Sequence, residues 1–123
     1  MAKILIVDDD IHATTLLEKV LAIKGHVATS VNESAETIQV ANSTSPDLIL
    51  LDLMMPEPNG FEVCKMLRAD PTYAKIPIVI VTAMDDNESK ETAYGAGAND
   101  YLIKPFRIDA LAEAIETLIG KTE

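Results

Sequence analysis

Leu48-Ile49-Leu50-Leu51-Asp52 closes an apolar run on a carboxylate, and Leu53-Met54-Met55-Pro56 follows it. An apolar run that short, bounded by turn signals, reads as a strand covered on both faces. The same pattern stands near the start, where Ile4-Leu5-Ile6-Val7 ends in Asp8-Asp9-Asp10. In a parallel α/β sheet the C-terminal ends of the strands share one edge, and ligands bind there. Carboxylates gathered at that edge repel one another unless a cation or protons neutralise them.

Outward from these two runs the chain alternates. Val27 to Val31, mixed with Ala28, Thr29 and Ser30, reads as a more polar edge strand. Ile78 to Val81 and Tyr101 to Ile103 complete a set of five. Helical spacing fills the gaps. Ile11 to Lys24 carries Leu16, Leu17, Val20, Leu21 and Ile23 and stops at Gly25. Ser34 to Ala41 is a shorter helix closed by the polar Asn42 to Ser45 and by Pro46. Gly60 to Ala69, Asn87 to Ala96 and Ile108 to Ile119 are the other three. Strands alternating with helices specify a parallel α/β sheet, and right-handed crossovers leave few ways to wind it. The doubly wound order 2-1-3-4-5 sets the first and third strands side by side, so that Asp8-Asp9-Asp10 faces Asp52 across one crevice.

A chain of 123 residues, 48% hydrophobic, suits one domain spanning 1–123 with its core from about residue 3 to 119. A net charge of −10 opposes a broad nucleic-acid footprint, which needs clustered Lys and Arg. Any effect on transcription would pass through a partner or a further domain. No apolar stretch approaches a membrane span, and Met1-Ala2-Lys3-Ile4 reads as a strand, not a signal peptide. The single Cys64 cannot form an intramolecular disulfide, so a cytoplasmic setting is expected.

Thr82 directly follows the fourth strand, and Lys104, before Pro105, follows the fifth. The four segments Ile4 to Asp10, Leu51 to Pro56, Val81-Thr82-Ala83 and Tyr101 to Phe106 together resemble the response-regulator receiver domain. The likeness runs from Lys3 to about Ile119 and implies a flavodoxin-like, doubly wound, five-stranded parallel sheet with five helices. It also implies a phosphorylation-activated switch of two-component signal transduction. Asp52 would accept a phosphoryl group from a histidine kinase or a histidine phosphotransfer protein, its carboxylate serving as nucleophile. Asp9 would hold Mg²⁺ directly and Asp8 partly through water, with Asp52 and the Met54 backbone carbonyl completing the protein ligands; few carboxylates and several waters suit this ion. Lys104 and Thr82 would meet phosphoryl oxygens, so that positioning and charge neutralisation supply most of the catalysis. Such a protein catalyses only its own phosphorylation and dephosphorylation.

The resemblance further implies that Tyr101 changes rotamer as Thr82 moves. The face of helix 4, strand 5 and helix 5 would then signal to a downstream protein or a fused output domain. It leaves room for a homodimer through helices 4 and 5. Lys104-Pro105 resembles the family's cis peptide. Met54 and Met84 each lie two positions past a site residue, where apolar side chains would impede the water that hydrolyses an acyl phosphate. Pro58 departs from the family, which carries an apolar residue there, and stiffens the loop after Asp52.

Plainer roles compete for the same residues. Asp52 fits a turn acid, Asp10 fits a cap of the first helix, and Thr82 fits a strand-ending hydroxyl. Tyr101 and the methionines fit ordinary packing. Cys64 reads as a buried hydrophobe, and His12 and His26 as surface residues without partners at ligand spacing. Gly95-Ala96-Gly97 ends a helix where a dinucleotide fingerprint must open one. Asp85-Asp86-Asn87-Glu88 reads as a solvated helix start. Two other functions stand beside the switch. One is a haloacid-dehalogenase-like phosphatase using Asp8 as nucleophile and Asp10 as acid/base, which leaves Asp52 and Thr82 idle. The other is a docking module independent of phosphorylation.

Overall fold

The computed structural model describes residues 2–120. Its strands are β1 (Lys3–Val7), β2 (Val27–Val31), β3 (Leu48–Leu51), β4 (Ile78–Thr82) and β5 (Asp100–Ile103). All pair in parallel, in the order β2-β1-β3-β4-β5. The helices are α1 (Ile11–Ile23), α2 (Thr37–Thr44), α3 (Gly60–Ala69), α4 (Asn87–Ala96) and α5 (Ile108–Ile119). The expected winding and the three continuous apolar strands are therefore present.

Alternation along those strands divides the core into two. Ile4, Ile6, Leu48, Leu50, Val79 and Val81 pack on Leu17 and Leu21 of α1 and on Leu111 and Ile115 of α5. Leu5, Val7, Ile49, Leu51, Ile78 and Ile80 face the other way, against Val63, Cys64 and Leu67 of α3 and Ala93 of α4. Each such side chain removed from water contributes about 1.5–3 kcal/mol. β2 and β5 are the two sheet edges, and both are only partly covered.

Three expectations need correction. Helix 2 starts with a 3-10 turn at Ser34–Glu36 and runs through Thr44, beyond the expected stop at Ala41. Ser43 and Thr44 donate their hydroxyls to the Gln39 and Val40 carbonyls, which lets a polar tail stay helical. The helix ends only at Ser45, whose φ of 51° is left-handed; the residue before a proline is pushed out of the helical region. Second, the apolar stripe of α1 is too wide for one face. Leu17 and Leu21 are buried, whereas Leu16 and Ile23 are 60% and 83% exposed. Third, His26 is half-buried and its Nδ1 accepts a hydrogen bond from the Ala2 amide at 3.1 Å. Met1, read as the start of the first strand, and the residues after Gly120 lie outside the described residues.

Candidate functional site

Register places Asp8, Asp52 and Lys104 one step past the paired ends of their strands and Thr82 at the last paired position of β4. Val7 pairs with Leu51, so Asp8 and Asp52 leave the sheet side by side, and the Asp52 amide donates to the Val7 carbonyl at 2.9 Å. Thr82 pairs with Ile103, and the Lys104 amide donates to the Thr82 carbonyl at 2.8 Å. The Lys104–Pro105 peptide is cis, as expected, and so is Glu57–Pro58.

The Lys104 ammonium stands between the two acids. Its Nζ is 2.8 Å from Asp8 Oδ2 and 3.3 Å from Asp52 Oδ2. Asp8 and Asp52 are 2% and 7% exposed, so two desolvated carboxylates share one cation. Burial lifts the Asp8 carboxyl above its ordinary value; the Lys104 and Asp10 hydrogen bonds oppose this, and the Asp52 charge adds to it. Burial works against the charged form of Lys104 too, but the hydrogen bond it donates to Asp8 and the charges of both acids outweigh it and hold its pKa up. The second oxygens are also engaged: Asp8 Oδ1 accepts from the Asp10 amide at 2.9 Å, and Asp52 Oδ1 from the Met54 amide at 3.1 Å.

The other expected residues are placed less tightly. Asp9 is exposed, and among the described residues no hydrogen bond holds its carboxylate. Thr82 is fully buried, and its Oγ1 accepts from the Met84 amide at 3.5 Å instead of meeting Asp52 or Lys104. The Tyr101 hydroxyl donates to the Met84 carbonyl at 2.7 Å, tying β5 to the loop after β4. Burial, and then the charges of Asp86, Asp52 and Asp85, raise its pKa. Met54 is 56% exposed and Met84 half-buried. Asp10 caps α1, accepting from the His12 and Ala13 amides, and Asp86 caps α4. Cys64 is buried, as expected.

Among the described residues no three acidic, histidine or cysteine side chains close into a metal cage. The donor set still fits Mg²⁺: Asp8, Asp9 and Asp52 offer only hard oxygens at an open edge, and this ion binds through one or two carboxylates plus waters and phosphate.

Two residues that shape the site escaped sequence reasoning. Gly60 opens α3 directly against the peptide of Asp52, where an added Cβ would collide with the Asp52 carbonyl oxygen. Asn59-Gly60 before an apolar-periodic run signals a capped helix start, and Asn59 does cap α3, but nothing in that signal reveals the close approach. Asn32, just past β2, donates from Nδ2 to the Asp8 carbonyl at 2.8 Å and to Thr14 Oγ1 at 3.2 Å. Its part depends on β1 and β2 leaving the sheet together, which no local pattern encodes.

A doubly wound sheet with acids, a lysine and a threonine along the C-terminal edge of its strands defines a class of α/β domains that bind ligands at that edge. Within that class the chain belongs to the response-regulator receiver domain family of two-component signalling, whose family model matches residues 4–116. It is 35% identical over 123 residues to the DNA-binding dual master transcriptional regulator RpaA of Synechocystis, a match covering 100% of this chain and 51% of RpaA. The chain thus spans about half the length of the curated relatives it matches. A putative response regulator from Chloroflexus aurantiacus superposes with a TM-score of 0.91 at 33% identity, covering 96% of this chain and 97% of that one. The receiver domain of sensor histidine kinase PA1611 from Pseudomonas aeruginosa, solved with a magnesium ion in its active-site cleft, has a TM-score of 0.89 at 30% identity, with 98% of each chain covered. No described helix is long and apolar enough to cross a membrane.

Proposed function

We propose that this domain, taken as one unit over residues 1–123, accepts a phosphoryl group on Asp52 and changes its partner-binding surface in response. The observation that carries this reading is the Lys104 ammonium within reach of both Asp8 and Asp52. A carboxylate oxygen of Asp52 attacks phosphorus, the bond from phosphorus to the donor's imidazole nitrogen breaks, and the imidazole keeps the electron pair. Negative charge stays on the transferring phosphoryl oxygens, so positioned cations are what the reaction needs. Lys104 supplies one such charge, and Thr82 a hydroxyl at the neighbouring strand end. Asp8, Asp9 and the Met54 carbonyl would hold Mg²⁺, which when bound adds a second positive charge at the phosphoryl oxygens.

The donor is a phosphohistidine protein, a histidine kinase or a histidine phosphotransfer protein, and the setting is cytoplasmic. The signal leaves through α4, β5 and α5, where Tyr101 links the loop after Thr82 to the sheet edge. Its receiver is a downstream protein or a fused output domain. The DNA binding in the name of RpaA belongs to a protein about twice as long as this match, and the acidic charge here gives no direct nucleic-acid contact.

The phosphatase reading is disfavoured by its own acid/base. Asp10 Oδ1 is occupied by two amides of α1, where the carboxylate serves as the helix cap. Intact mass after incubation with acetyl phosphate tests the proposal. Wild type should gain one phosphoryl group only with Mg²⁺, and Asp52→Asn none. An adduct that survives Asp52→Asn would point back to Asp8. No adduct in wild type would leave a docking module. Followed over time, the same assay should show faster loss of the adduct in Met84→Glu, because a polar side chain there admits water.

A further inference from the structure

Asp8 directly follows the last residue of β1, and Asn32 directly follows the last residue of β2 beside it. The Asp8 amide still finds a ladder partner, donating to the Val31 carbonyl at 3.0 Å. Its carbonyl would next accept from the backbone of β2, but the departure of the chain at Asn32 removes that donor. The Asn32 side-chain Nδ2 takes its place, donating to the Asp8 carbonyl at 2.8 Å. The second contact of Nδ2 goes to Thr14 Oγ1, inside the first turns of α1, and Thr14 is itself buried and bonded to the Ile11 carbonyl at 3.0 Å. Asn32 therefore ties the start of the loop that carries Asp9 to the first turn of α1. Two residues on, the Ser34 hydroxyl reaches the Pro56 carbonyl at 3.4 Å, so the exit of β2 also touches the loop that follows Asp52.

We infer that Asn32 is a positioning residue for metal binding: by fixing the Asp8–Asp9 peptide it sets the direction in which the Asp9 carboxylate points. The inference rests on the proposed assignment of Asp8 and Asp9 to Mg²⁺. Asp9 needs such help because no hydrogen bond orients its own side chain among the described residues, whereas the Asp8 carboxylate is held by Lys104 and by the Asp10 amide. Partners that orient metal ligands from behind are commonly worth about 10–100-fold in affinity.

The experiment is calorimetric titration of Mg²⁺ into the metal-free protein, for wild type, Asn32→Leu and Asn32→Asp, with urea denaturation run in parallel. Asn32→Leu removes the donor and keeps the bulk, and its Mg²⁺ dissociation constant should rise about tenfold or more. Asn32→Asp decides between positioning and bulk charge. It adds a carboxylate beside the site, which would tighten Mg²⁺ binding if charge ruled, yet it lacks the amide donor and should weaken binding. In the acetyl phosphate reaction the Mg²⁺ concentration for half-maximal rate should shift in both variants, with the rate at saturating Mg²⁺ within about twofold of wild type. Unchanged or tighter binding in Asn32→Asp would overturn the inference, and so would a fall in the saturating rate with no shift in Mg²⁺ demand. If Asn32→Leu fails to fold, the same-shaped Asn32→Asp still carries the test. Wild type that takes up no Mg²⁺ would overturn the metal assignment itself, a different result from variants that bind as well as wild type.

Discussion

The middle of the sheet and its C-terminal edge are built from the same three strands to opposite ends. In β1, β3 and β4 nearly every side chain is buried and apolar, and each strand is paired on both sides. One residue further along, the chain places Asp8 and Asp52 under almost equal burial with a single shared cation. Burying charge costs several kcal/mol per ion unless geometry repays it. The centre thus supplies stability and the edge spends part of it, which leaves the edge responsive to ligands that add positive charge.

Three measurements would break or sharpen that contrast. The largest change should come from the centre: Leu50→Ala, at a site 1% exposed, should cost about 2–5 kcal/mol in urea denaturation. The folded fraction should still take a phosphoryl group on Asp52. A loss under about 1 kcal/mol would mean that the sheet is less decisive than its burial implies. Next comes the edge with the proposed metal. At a hundredfold excess over its dissociation constant Mg²⁺ should stabilise the fold by about 2.7 kcal/mol, read as a higher Tm. A Tm indifferent to Mg²⁺ would remove the metal from this edge.

The smallest effect is the titration of Asp8. Burial raises its pKa above the ordinary 3.8, so the folded chain holds that proton more tightly than the unfolded one. The stabilisation from this group is complete below its unfolded value and fades as pH rises through the raised one. Asp8→Asn has no such proton. Without Mg²⁺ the two proteins should melt closest together in acid, and the variant should gain on wild type toward neutral pH. A difference in Tm that stays flat, or reverses, would show that Lys104 neutralises Asp8 more fully than its burial costs.

Most of the frame was legible because it rests on local rules. Ile4 to Val7, Leu48 to Leu51 and Ile78 to Val81 are read within a residue of their ends, since strands buried on both faces need unbroken apolar runs. Asp8, Asp52, Thr82 and Lys104 were legible as strand-end residues once the winding was known. What escaped depends on particular side-chain contacts, near or far along the chain, that periodicity does not encode. The extra turn of α2 hangs on two hydroxyls bonding back to its own carbonyls. The outward Leu16 and Ile23 look like core until Leu17 and Leu21 have filled the space beneath α1. Thr82 was legible by position, but its hydroxyl is satisfied by the Met84 amide, a contact that sequence does not foretell.

Gly60 carries no functional group, yet α3 begins there in direct contact with the Asp52 peptide. In a library that randomised every position and scored phosphoryl acceptance, this glycine would belong with the acids and the lysine. Even the single methyl of alanine would have to displace either the helix or the backbone that carries Asp52. Position 60 is thus a hidden constraint on how far the domain can drift in sequence while keeping its chemistry.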